Sequence, residues 1–413
     1  MAVEVNKHFA IAGSNLDLKG AWLKQLVNGE SGLPELKGKG VLFSEITLNK
    51  FIEEEYKHDK KFLPEQGERS LRTFSSGEQK KALLSYLLST NPDFLILDNP
   101  FDAMDVTAVE NFKNRFETIS EEITIVQIFK RKADLLPFIT DFLEVSGDFF
   151  SVIKPNIKAN TALKEEFDIT IPKPLKEYIN IPETLVELKN VSVSYEDKPV
   201  LHEINWRINK GQFWQLKGPN GSGKTTILSM IYGNNTKGFG VDLFLFGNKK
   251  GSGETVWEIK EKIGFFTPTI IQLFKGSYNL QEMVISGLFD SIGLYQKPND
   301  LHIKLADKWL QVLGLYNERF TNFFSCSTVE QRLVLIARAM IKHPPLLILD
   351  EPTTGLDDDG AHLIVSLINK IAQESKTAVL YVSHRDEAGL KPDYVYTLIP
   401  TANGSMGREE VKT

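Results

Sequence analysis

Short, largely apolar runs alternate along the chain with segments in which apolar positions recur at helical spacing. Four of the apolar runs are Phe94–Leu97, Ile123–Ile128, Leu346–Leu349 and Thr377–Val382. Such runs are typical of strands that are buried on both faces of a parallel sheet, with helices connecting them. The pattern therefore predicts an α/β fold with a mostly parallel sheet.

A group of motifs occurs twice at one spacing. Ser75 and Asp98 flank a polar loop, a helical segment and an apolar strand, and Ser327 and Asp350 flank the same series in the second half. Ser327 lies 252 positions after Ser75 (327 − 75), and Asp350 lies 252 positions after Asp98 (350 − 98). Because a helix and a strand separate the two features in each copy, the common offset indicates two copies of one unit.

Prolines are concentrated between the two copies. They lie in Lys154-Pro155, Ile171–Pro174 and Ile181-Pro182, and proline at this density interrupts regular structure. The length of 413 residues also favours two domains over one core. We therefore predict a first domain at residues 1–150, a linker at 151–182 and a second domain at 183–413.

Composition and charge narrow the class of protein only a little. A hydrophobic content of 42% and a charged content of 25% are ordinary for a globular chain. The net charge of −6 argues against a nucleic-acid binder, although a basic patch can lie within an acidic total. The single cysteine, Cys326, excludes an intrachain disulfide and is compatible with a reducing compartment.

No secretory or membrane-spanning segment is evident in the sequence. Met1 to Asn15 lack a long apolar core behind a basic start, and no apolar run reaches the roughly 18 residues of a spanning helix. We therefore expect a cytoplasmic protein, which reaches the inner face of the cell membrane only by docking onto another protein.

The second half contains a complete phosphate-binding motif, GxxxxGK[ST], at Gly218–Thr225. It follows the strand-like Gln212–Leu216 and precedes the apolar helical run Ile227–Tyr232, the context that a P-loop requires. Glycines there allow backbone N–H groups to surround phosphates, and the helix N-terminus favours negative charge. The predicted ATP-binding residues of this loop are Gly218, Pro219, Asn220, Gly221, Ser222, Gly223, Lys224, Thr225 and Thr226.

Three further side chains complete the predicted chemistry. Asp350 ends a buried strand, where an acid can hold Mg²⁺ together with the Thr225 hydroxyl. Glu351 follows it and suits a general base that polarises the attacking water. His384 follows the strand Val379–Val382 and either contacts the γ-phosphate or orients the water. A lone histidine at a strand end is usually an ordinary surface residue, but its order after the acid pair favours a catalytic role.

These motifs resemble the nucleotide-binding domains of ATP-binding-cassette (ABC) proteins, and the resemblance covers nearly the whole chain as two cassettes. It implies two P-loop NTPase domains in tandem, the first degenerate and shortened, with ATP and Mg²⁺ bound and Tyr195 stacked on the adenine. Thr354–Asp357 is similar to the family's D-loop. Segments within 242–247, 249–257 and 284–293 resemble more specifically the ModF-type tandem ATPases, ATP-binding proteins of molybdenum transport or photorepair.

One position departs from the family pattern. After Ile263–Phe266 the family places a glutamine that contacts Mg²⁺, and this chain has Pro268 there. Gln272 is nearby but out of register. Either Thr267 or a water replaces this ligand, or Gln272 loops in. We expect the departure to affect the rate of hydrolysis more than binding.

The first half retains the same parts with losses. Its loop at Gly13–Gly20 keeps Lys19, but Leu18 replaces the preceding glycine and a glycine replaces the following hydroxyl residue. The acid pair becomes Asp98-Asn99, and Phe129 aligns with the histidine. The chain also begins too close to this loop to include an adenine-stacking strand. We therefore expect no working nucleotide site in the first half.

In the ABC family two cassettes pair head to tail, and each ATP lies between one P-loop and the signature loop of the other cassette. The first half keeps a serviceable signature at Ser75, Ser76 and Gly77, whereas Val329 replaces a glycine in the second. The resemblance therefore implies intramolecular pairing in which these three residues complete the intact ATP site. All losses then fall on the other composite site; coincidence combined with misalignment is the alternative.

The two halves also differ in length between the P-loop and the signature serine. This spacing is 109 positions in the second half (327 − 218) and 62 in the first (75 − 13). The missing 47 residues (109 − 62) correspond mostly to the helical arm by which ABC cassettes dock on membrane subunits. Symmetric docking of both halves is therefore not expected.

We interpret the chain as an ATP-hydrolysing tandem ABC protein whose one active composite site drives a conformational switch. Coupling to transport of molybdate or another anion through a membrane permease subunit is one use of such a switch. A soluble regulator associated with ribosomes or DNA is an alternative, although the long charged linker of ribosome-acting cassettes is not evident. An ATP sensor without meaningful turnover is another, because Pro268 stands where the glutamine is expected.

Overall fold

The computed structural model describes residues 6–13, 16, 20–58, 61, 69–147, 149–153, 167–196 and 198–412. The chain divides into two compact units. The first comprises Met1–Ala162 with the segment Gly355–Asp358, and the second comprises Leu163–Thr354 with Asp359–Thr413. Each unit contains one six-stranded sheet with helices between its strands. The predicted α/β class with two domains is confirmed.

The first unit is built on a mostly parallel sheet. Its strands are β1 (Phe9–Ala12), β2 (Gly40–Phe43), β3 (Phe94–Asp98), β4 (Thr124–Phe129), β5 (Asp141–Ser146) and β6 (Phe149–Ile153), and its helices are α1 (Ala21–Val27), α2 (Glu45–His58), α3 (Ser76–Ser89) and α4 (Val106–Ser120). The strand order is β2-β3-β4-β1-β5-β6, and only the edge strand β6 is antiparallel to its neighbour. All five side chains of β3 are buried, as expected for an apolar strand inside a parallel sheet.

The second unit contains two sheets. Its strands are β7 (Thr184–Tyr195), β8 (Lys198–Asn209), β9 (Phe213–Lys217), β10 (Leu243–Leu245), β11 (Asn248–Lys249), β12 (Ile263–Phe266), β13 (Leu346–Asp350), β14 (Ala378–Val382), β15 (Tyr394–Ile399) and β16 (Met406–Val411), and the helices assigned along this part of the chain are α5 (Lys224–Ile231), α6 (Val256–Glu261), α7 (Leu280–Ser286), α8 (Asp300–Val312), α9 (Thr328–Met340) and α10 (Asp358–Glu374). The main sheet has the order β12-β13-β14-β9-β15-β16, with only β16 antiparallel.

The main sheets of the two units share one topology, since each strand of the first has a counterpart of the same direction at the same place in the second. Strands β3 and β13 begin and end 252 positions apart (346 − 94 and 350 − 98). A buried cation follows the same offset: Lys80 Nζ donates to Pro100 O at 3.2 Å, and Arg332 Nη1 donates to Pro352 O at 2.6 Å. The structure therefore confirms the internal repeat.

The second sheet of the second unit is antiparallel, in the order β11-β10-β7-β8. Buried and exposed side chains largely alternate along β7 and β8, so that one face packs on the core through residues such as Ile204 and Trp206. Within the part of the first unit that the structure describes, no counterpart of this sheet is present.

The second unit also carries a group of packed helices, α7, α8 and α9. Apolar side chains at helical spacing bury one face of each, and Trp309 of α8 is fully buried. Among the helices formed by the described residues, none is both long and apolar enough to cross a bilayer.

The predicted linker is described only from residue 167 onwards, and residues 154–166 lie outside the described residues. Strand β6 continues to Ile153, so the first sheet extends past the predicted domain boundary at residue 150. Residues 167–182 contain no helix or strand. They are held on the second unit where Ile171 N donates to Glu374 Oε2 at 2.8 Å and Tyr178 OH donates to Glu261 O at 2.7 Å.

Candidate nucleotide site

The P-loop of the second unit connects β9 to α5 at the carboxyl edge of the main sheet. Three of its glycines have positive φ: Gly218 (+154°), Gly221 (+77°) and Gly223 (+94°). A Cβ on Gly223 would lie 2.5 Å from Leu201 Cδ2. Only glycine accommodates this backbone and this close approach, and the resulting turns suit a ring of N–H groups around an anion.

Lys224 begins helix α5 and is buried, with 8% of its surface exposed. Its ammonium donates to the loop's own carbonyls, to Gly218 O at 2.6 Å and Pro219 O at 3.0 Å. The hydroxyl of Ser222 is buried and has no partner among the described residues. A buried cation and an unpartnered hydroxyl inside the loop fit a phosphate chain. Asn220, Thr225 and Thr226 complete the predicted loop and its helix, and Thr225 is exposed.

Asp350 ends β13 at the same carboxyl edge of the sheet. Burial and the negative charge of Glu351 raise the pKa of Asp350, against the opposing charge of Lys224, to about 6. A carboxylate in this position is ionised at a cost unless a cation lies nearby. No three His, Cys, Asp or Glu residues of the described chain cluster as a metal site. Asp350 and Thr225 offer a carboxylate and a hydroxyl oxygen, the kind of donor that Mg²⁺ prefers, so these residues fit a Mg²⁺ whose other ligands phosphate would supply.

Glu351 lies directly after β13 in a left-handed backbone conformation, with φ of +49°. Its N–H donates to Val382 O at 2.9 Å. His384 Nδ1 is 3.1 Å from Glu351 Oε1, and the Thr354 hydroxyl donates to Oε2 at 3.1 Å. Burial alone would raise the pKa of Glu351, but the hydrogen bond and charge of His384, together with Thr354 and Lys224, hold it below its usual value. The ionised carboxylate that a general base requires is thereby favoured.

His384 and Glu351 were predicted from separate motifs, and the structure brings them into contact. Only 3% of the His384 side chain is exposed, against 26% of Glu351. The second ring nitrogen of His384, Nε2, is buried and has no partner among the described residues. This nitrogen is available for the γ-phosphate or for water, the two roles considered from sequence.

Tyr195 is the last residue of β7 and is 40% exposed. Asn235 Nδ2 donates to its hydroxyl at 2.7 Å, and Lys237 Nζ lies 5.5 Å from the centre of its ring. The β7–β8 sheet also reaches the P-loop, as the close approach of Leu201 to Gly223 shows. A half-exposed ring with a fixed hydroxyl is suited to stacking on a base.

The position of the missing glutamine lies just after β12. Thr267 precedes the 3₁₀ helix Pro268–Leu273, and its hydroxyl is 3.3 Å from that of Thr269. Gln272 is exposed on this short helix. Replacement by Thr267 or water, and entry of Gln272, stay predictions.

The first unit retains the turn of the acid pair but not its chemistry. Asn99 has φ of +42°, and its N–H donates to Ile128 O at 3.0 Å, which matches the turn at Glu351. Its side-chain amide donates to Asp98 Oδ1 at 2.8 Å. Phe129, predicted at the histidine position, is buried against Phe142, and this prediction is wrong by one residue. Asp98 pairs with Ile128 as Asp350 pairs with Val382, so the residue two positions later, the counterpart of His384, is Lys130. Five residues of the predicted broken P-loop lie outside the described residues: Ser14, Asn15, Asp17, Leu18 and Lys19.

The two signature segments begin helices in the same way. Ser75 is the N-cap of α3 and forms a capping box with Glu78, and Ser327 does the same for α9 with Glu330. They differ two residues later. A Cβ on Gly77 would meet nothing within 4 Å, whereas Val329 fills the corresponding position. Because Gly77 has no Cβ, an anion can approach the backbone around Ser76 and Gly77 more closely than that of the counterpart segment.

Two contacts of this site were missed by reasoning from sequence. The resemblance of Thr354–Asp357 to the D-loop gives Thr354 no role in the chemistry, and Asn235 belongs to none of the motifs. The contact of Asn235 with Tyr195 has no signal in spacing, because 40 positions separate the two residues. The short distance from Glu351 to Thr354 along the chain was the one available signal.

The chain is similar in sequence to known ATP-binding proteins. A family model described as ABC transporter matches residues 201–354, which include Lys224, Asp350 and Glu351. The ABC transporter ATP-binding protein ModF of Escherichia coli (strain K12) is 37% identical over 336 residues, covering 78% of this chain and 68% of that protein. An uncharacterised ABC transporter ATP-binding protein of Schizosaccharomyces pombe is 28% identical over 334 residues, covering 77% and 66%.

A crystal structure of a nucleotide-free ATP-binding cassette from an ABC transporter matches 56% of this chain and 92% of its own, with 20% identity and a TM-score of 0.48. On the sequence comparisons, the chain belongs to the ATP-binding proteins of the ABC transporter family. Within that family it is a ModF-like protein with two cassette units. It spans about two thirds of the length of the two relatives.

Proposed function

We propose that this protein binds and hydrolyses ATP at the P-loop of its second unit and uses the cycle as a conformational switch. The observation that supports hydrolysis most strongly is the carboxylate of Glu351, which is hydrogen-bonded on both oxygens by His384 and Thr354. Binding alone would need the P-loop but not an oriented, ionised acid beyond it.

In the proposed reaction Glu351 accepts a hydrogen bond from the attacking water. The water oxygen forms a bond to the γ-phosphorus while the bond to the β–γ bridging oxygen breaks, and ADP leaves with that electron pair. The water proton passes to Glu351 or to the phosphate formed. Lys224 exchanges its loop carbonyls for phosphate oxygens, and His384 keeps the carboxylate in place through Nδ1. Mg²⁺ held by Thr225 and Asp350 would neutralise charge on the β- and γ-phosphates.

We further propose that Ser75, Ser76 and Gly77 complete this site when the two halves pair within one chain. The support comes from the distribution of losses. The intact P-loop and the open signature at Gly77 belong to one composite site in a head-to-tail pair, whereas Asn99 and Val329 belong to the other. A cassette that lost function at random would show defects at both.

Coupling of this switch to a membrane permease subunit is a second candidate function. The name of the ModF relative describes an ATP-binding protein of an ABC transporter, which favours a cytoplasmic protein that is peripheral at the inner face of the membrane. Molybdate or another anion is the candidate cargo by resemblance alone. An ATP sensor is favoured by Pro268 at the position of the expected glutamine and by the exposed Gln272. None of the contacts described above favours a soluble regulator of ribosomes or DNA.

Phosphate release by the wild type and by Glu351→Gln tests the proposal. We expect turnover in the wild type, a loss of at least about 100-fold in the variant and an unchanged Kd for ATP. Normal turnover in Glu351→Gln would show that Glu351 is not the general base. Tight ATP binding without turnover in the wild type would favour an ATP sensor. Co-purification from the native host distinguishes the partners: permease subunits, ribosomes or neither.

A further inference from the structure

We infer that Thr354 is a positioning residue for hydrolysis, and that its side-chain hydroxyl fixes the orientation of the Glu351 carboxylate. This inference rests on the proposed function, because it concerns the same general base. The hydroxyl donates to Glu351 Oε2 at 3.1 Å, while His384 contacts the other oxygen, Oε1, at 3.1 Å. A carboxylate held at one oxygen can still rotate about its terminal C–C bond. Hydrogen bonds to both oxygens of Glu351 prevent that rotation.

The backbone on both sides of this contact is fixed independently of the hydroxyl. Glu351 N donates to Val382 O at 2.9 Å, and Thr354 N donates to Glu351 O at 3.3 Å, which closes a turn. The left-handed conformation of Glu351 costs of order 1 kcal/mol for a residue with a side chain. These two backbone hydrogen bonds must hold the conformation, so the side chain of Glu351 extends from a strained backbone with a fixed position.

Thr353, the residue before Thr354, anchors the turn in the core. Its hydroxyl donates to Glu387 Oε1 at 2.6 Å and lies 3.1 Å from the hydroxyl of Tyr381 in β14. Thr353 is 1% exposed and Tyr381 is fully buried. Because this anchor holds the adjacent backbone, the Thr354 hydroxyl is presented to Glu351 from a rigid element rather than from a free loop.

The first unit shows that the turn does not itself need a threonine at this place. Asn99 and Asp102 stand 252 positions before Glu351 and Thr354. Asp102 N donates to Asn99 O at 3.2 Å, and Asn99 N donates to Ile128 O at 3.0 Å, so the same turn forms. The Asn99 amide instead donates to Asp98. The hydroxyl of Thr354 therefore reaches the base position only in the second unit, where that position is the carboxylate of Glu351. The turn in the first unit forms without such a hydroxyl.

The test compares Thr354→Val, which keeps the shape and removes the hydroxyl, with Thr354→Ser, which keeps the hydroxyl, in the full chain. We expect kcat for Mg-ATP to fall at least about tenfold in Thr354→Val, with KM and the Kd for a fluorescent ATP analogue within about twofold. Thr354→Ser should restore kcat to within about threefold of the wild type. Thr184→Val is the matched control, since it also removes one partly buried hydroxyl bond, to Asn209 at 2.9 Å, in the same unit.

A double-mutant cycle separates positioning from a general loss of structure. In the Glu351→Gln background Thr354→Val should leave the residual rate within about twofold, because a residue that acts through Glu351 has nothing further to lose. Wild-type kcat in Thr354→Val, an equal loss in Thr354→Ser, or an additive loss in the double variant would each overturn the inference. If circular dichroism shows that Thr354→Val does not fold, Thr354→Ala replaces it. Its kcat, KM and Kd are then compared with those of Thr354→Ser and of the double variant with Glu351→Gln, and the same outcomes support or overturn the inference.

The proposed function fails in a different way. A wild type that hydrolyses no ATP, or a Glu351→Gln variant that turns over normally, would refute the base and the positioning residue together. An active wild type and an inactive Glu351→Gln, combined with full activity in Thr354→Val, would refute the positioning role alone.

Discussion

The imidazole Nδ1 of His384 lies 3.1 Å from Oε1 of Glu351, although 33 positions separate the two residues along the chain. The end of β14 fixes both partners: Val382 accepts the N–H of Glu351, and His384 follows two residues later. The buried imidazole therefore holds a carboxylate that is itself partly exposed. This pair links the acid after β13 to the adjacent strand of the sheet.

Replacing His384 by Ala should reduce kcat by about 100-fold while changing the Kd for ATP much less. The carboxylate of Glu351 loses the bond at Oε1, and the nitrogen available to the phosphate or water disappears. Steady-state phosphate release and equilibrium nucleotide binding check this. His302→Ala, which removes a partly buried imidazole from the first turn of α8 outside the candidate site, is the control. A proportional loss of binding and turnover in His384→Ala would argue for a structural role instead.

The two P-loop lysines should differ sharply in their effect on ATP binding. Lys224→Ala removes a buried ammonium held inside the intact loop, so we expect binding to fall by at least about 100-fold, the scale of a charged hydrogen-bonding group. Lys19→Ala should leave binding within about twofold, because Leu18 replaces the glycine before it. Titration calorimetry measures both. Similar losses in the two variants would refute the assignment of one working site.

The signature serines provide a matched pair for the composite site. Ser75→Ala and Ser327→Ala each remove an N-cap with the same capping box, so both should cost about 1 kcal/mol of stability. Hydrolysis should fall markedly only in Ser75→Ala, because Ser75 is proposed to contact the bound ATP. Thermal denaturation and ATPase assays on the same samples test this. Equal effects on turnover would contradict the proposed pairing.

Asp350→Asn should stabilise the Mg²⁺-free protein at neutral pH while it abolishes hydrolysis. Burial, together with the negative charge of Glu351, raises the pKa of Asp350 from 3.8 to about 6. Folding thus favours the protonated carboxyl, so its contribution to stability is present at acid pH and is lost as the pH rises through about 6. A rise in the pKa of Asp350 from 3.8 to about 6 makes this loss roughly 3 kcal/mol at most.

Melting temperatures measured without Mg²⁺ at pH 5 and pH 8 check the sign of this effect. The Asn variant should melt higher than the wild type at pH 8, and the gain should shrink at pH 5. Asp358→Asn at the exposed start of α10 controls for the loss of one acid. An equal shift at both pH values would show that burial of the charge is not the cause.

The sequence by itself determined the features that follow from local pattern. Apolar runs identified the strands β3, β4, β13 and β14 to within one or two residues, because a strand buried on both faces must be apolar throughout. The constant offset of 252 revealed the repeat, and the glycines of the P-loop indicated a backbone that other residues cannot adopt.

Only the tertiary structure decided what surrounds the candidate base. The contacts of Glu351 with His384 and Thr354 depend on the register of β13 and β14 and on a left-handed turn, neither of which has a signature in composition or spacing. The same applies to the continuation of β6 to Ile153, which strand pairing with β5 imposes despite the nearby prolines. Sequence pattern specifies which groups are available, whereas side-chain geometry depends on which strands lie side by side in the sheet.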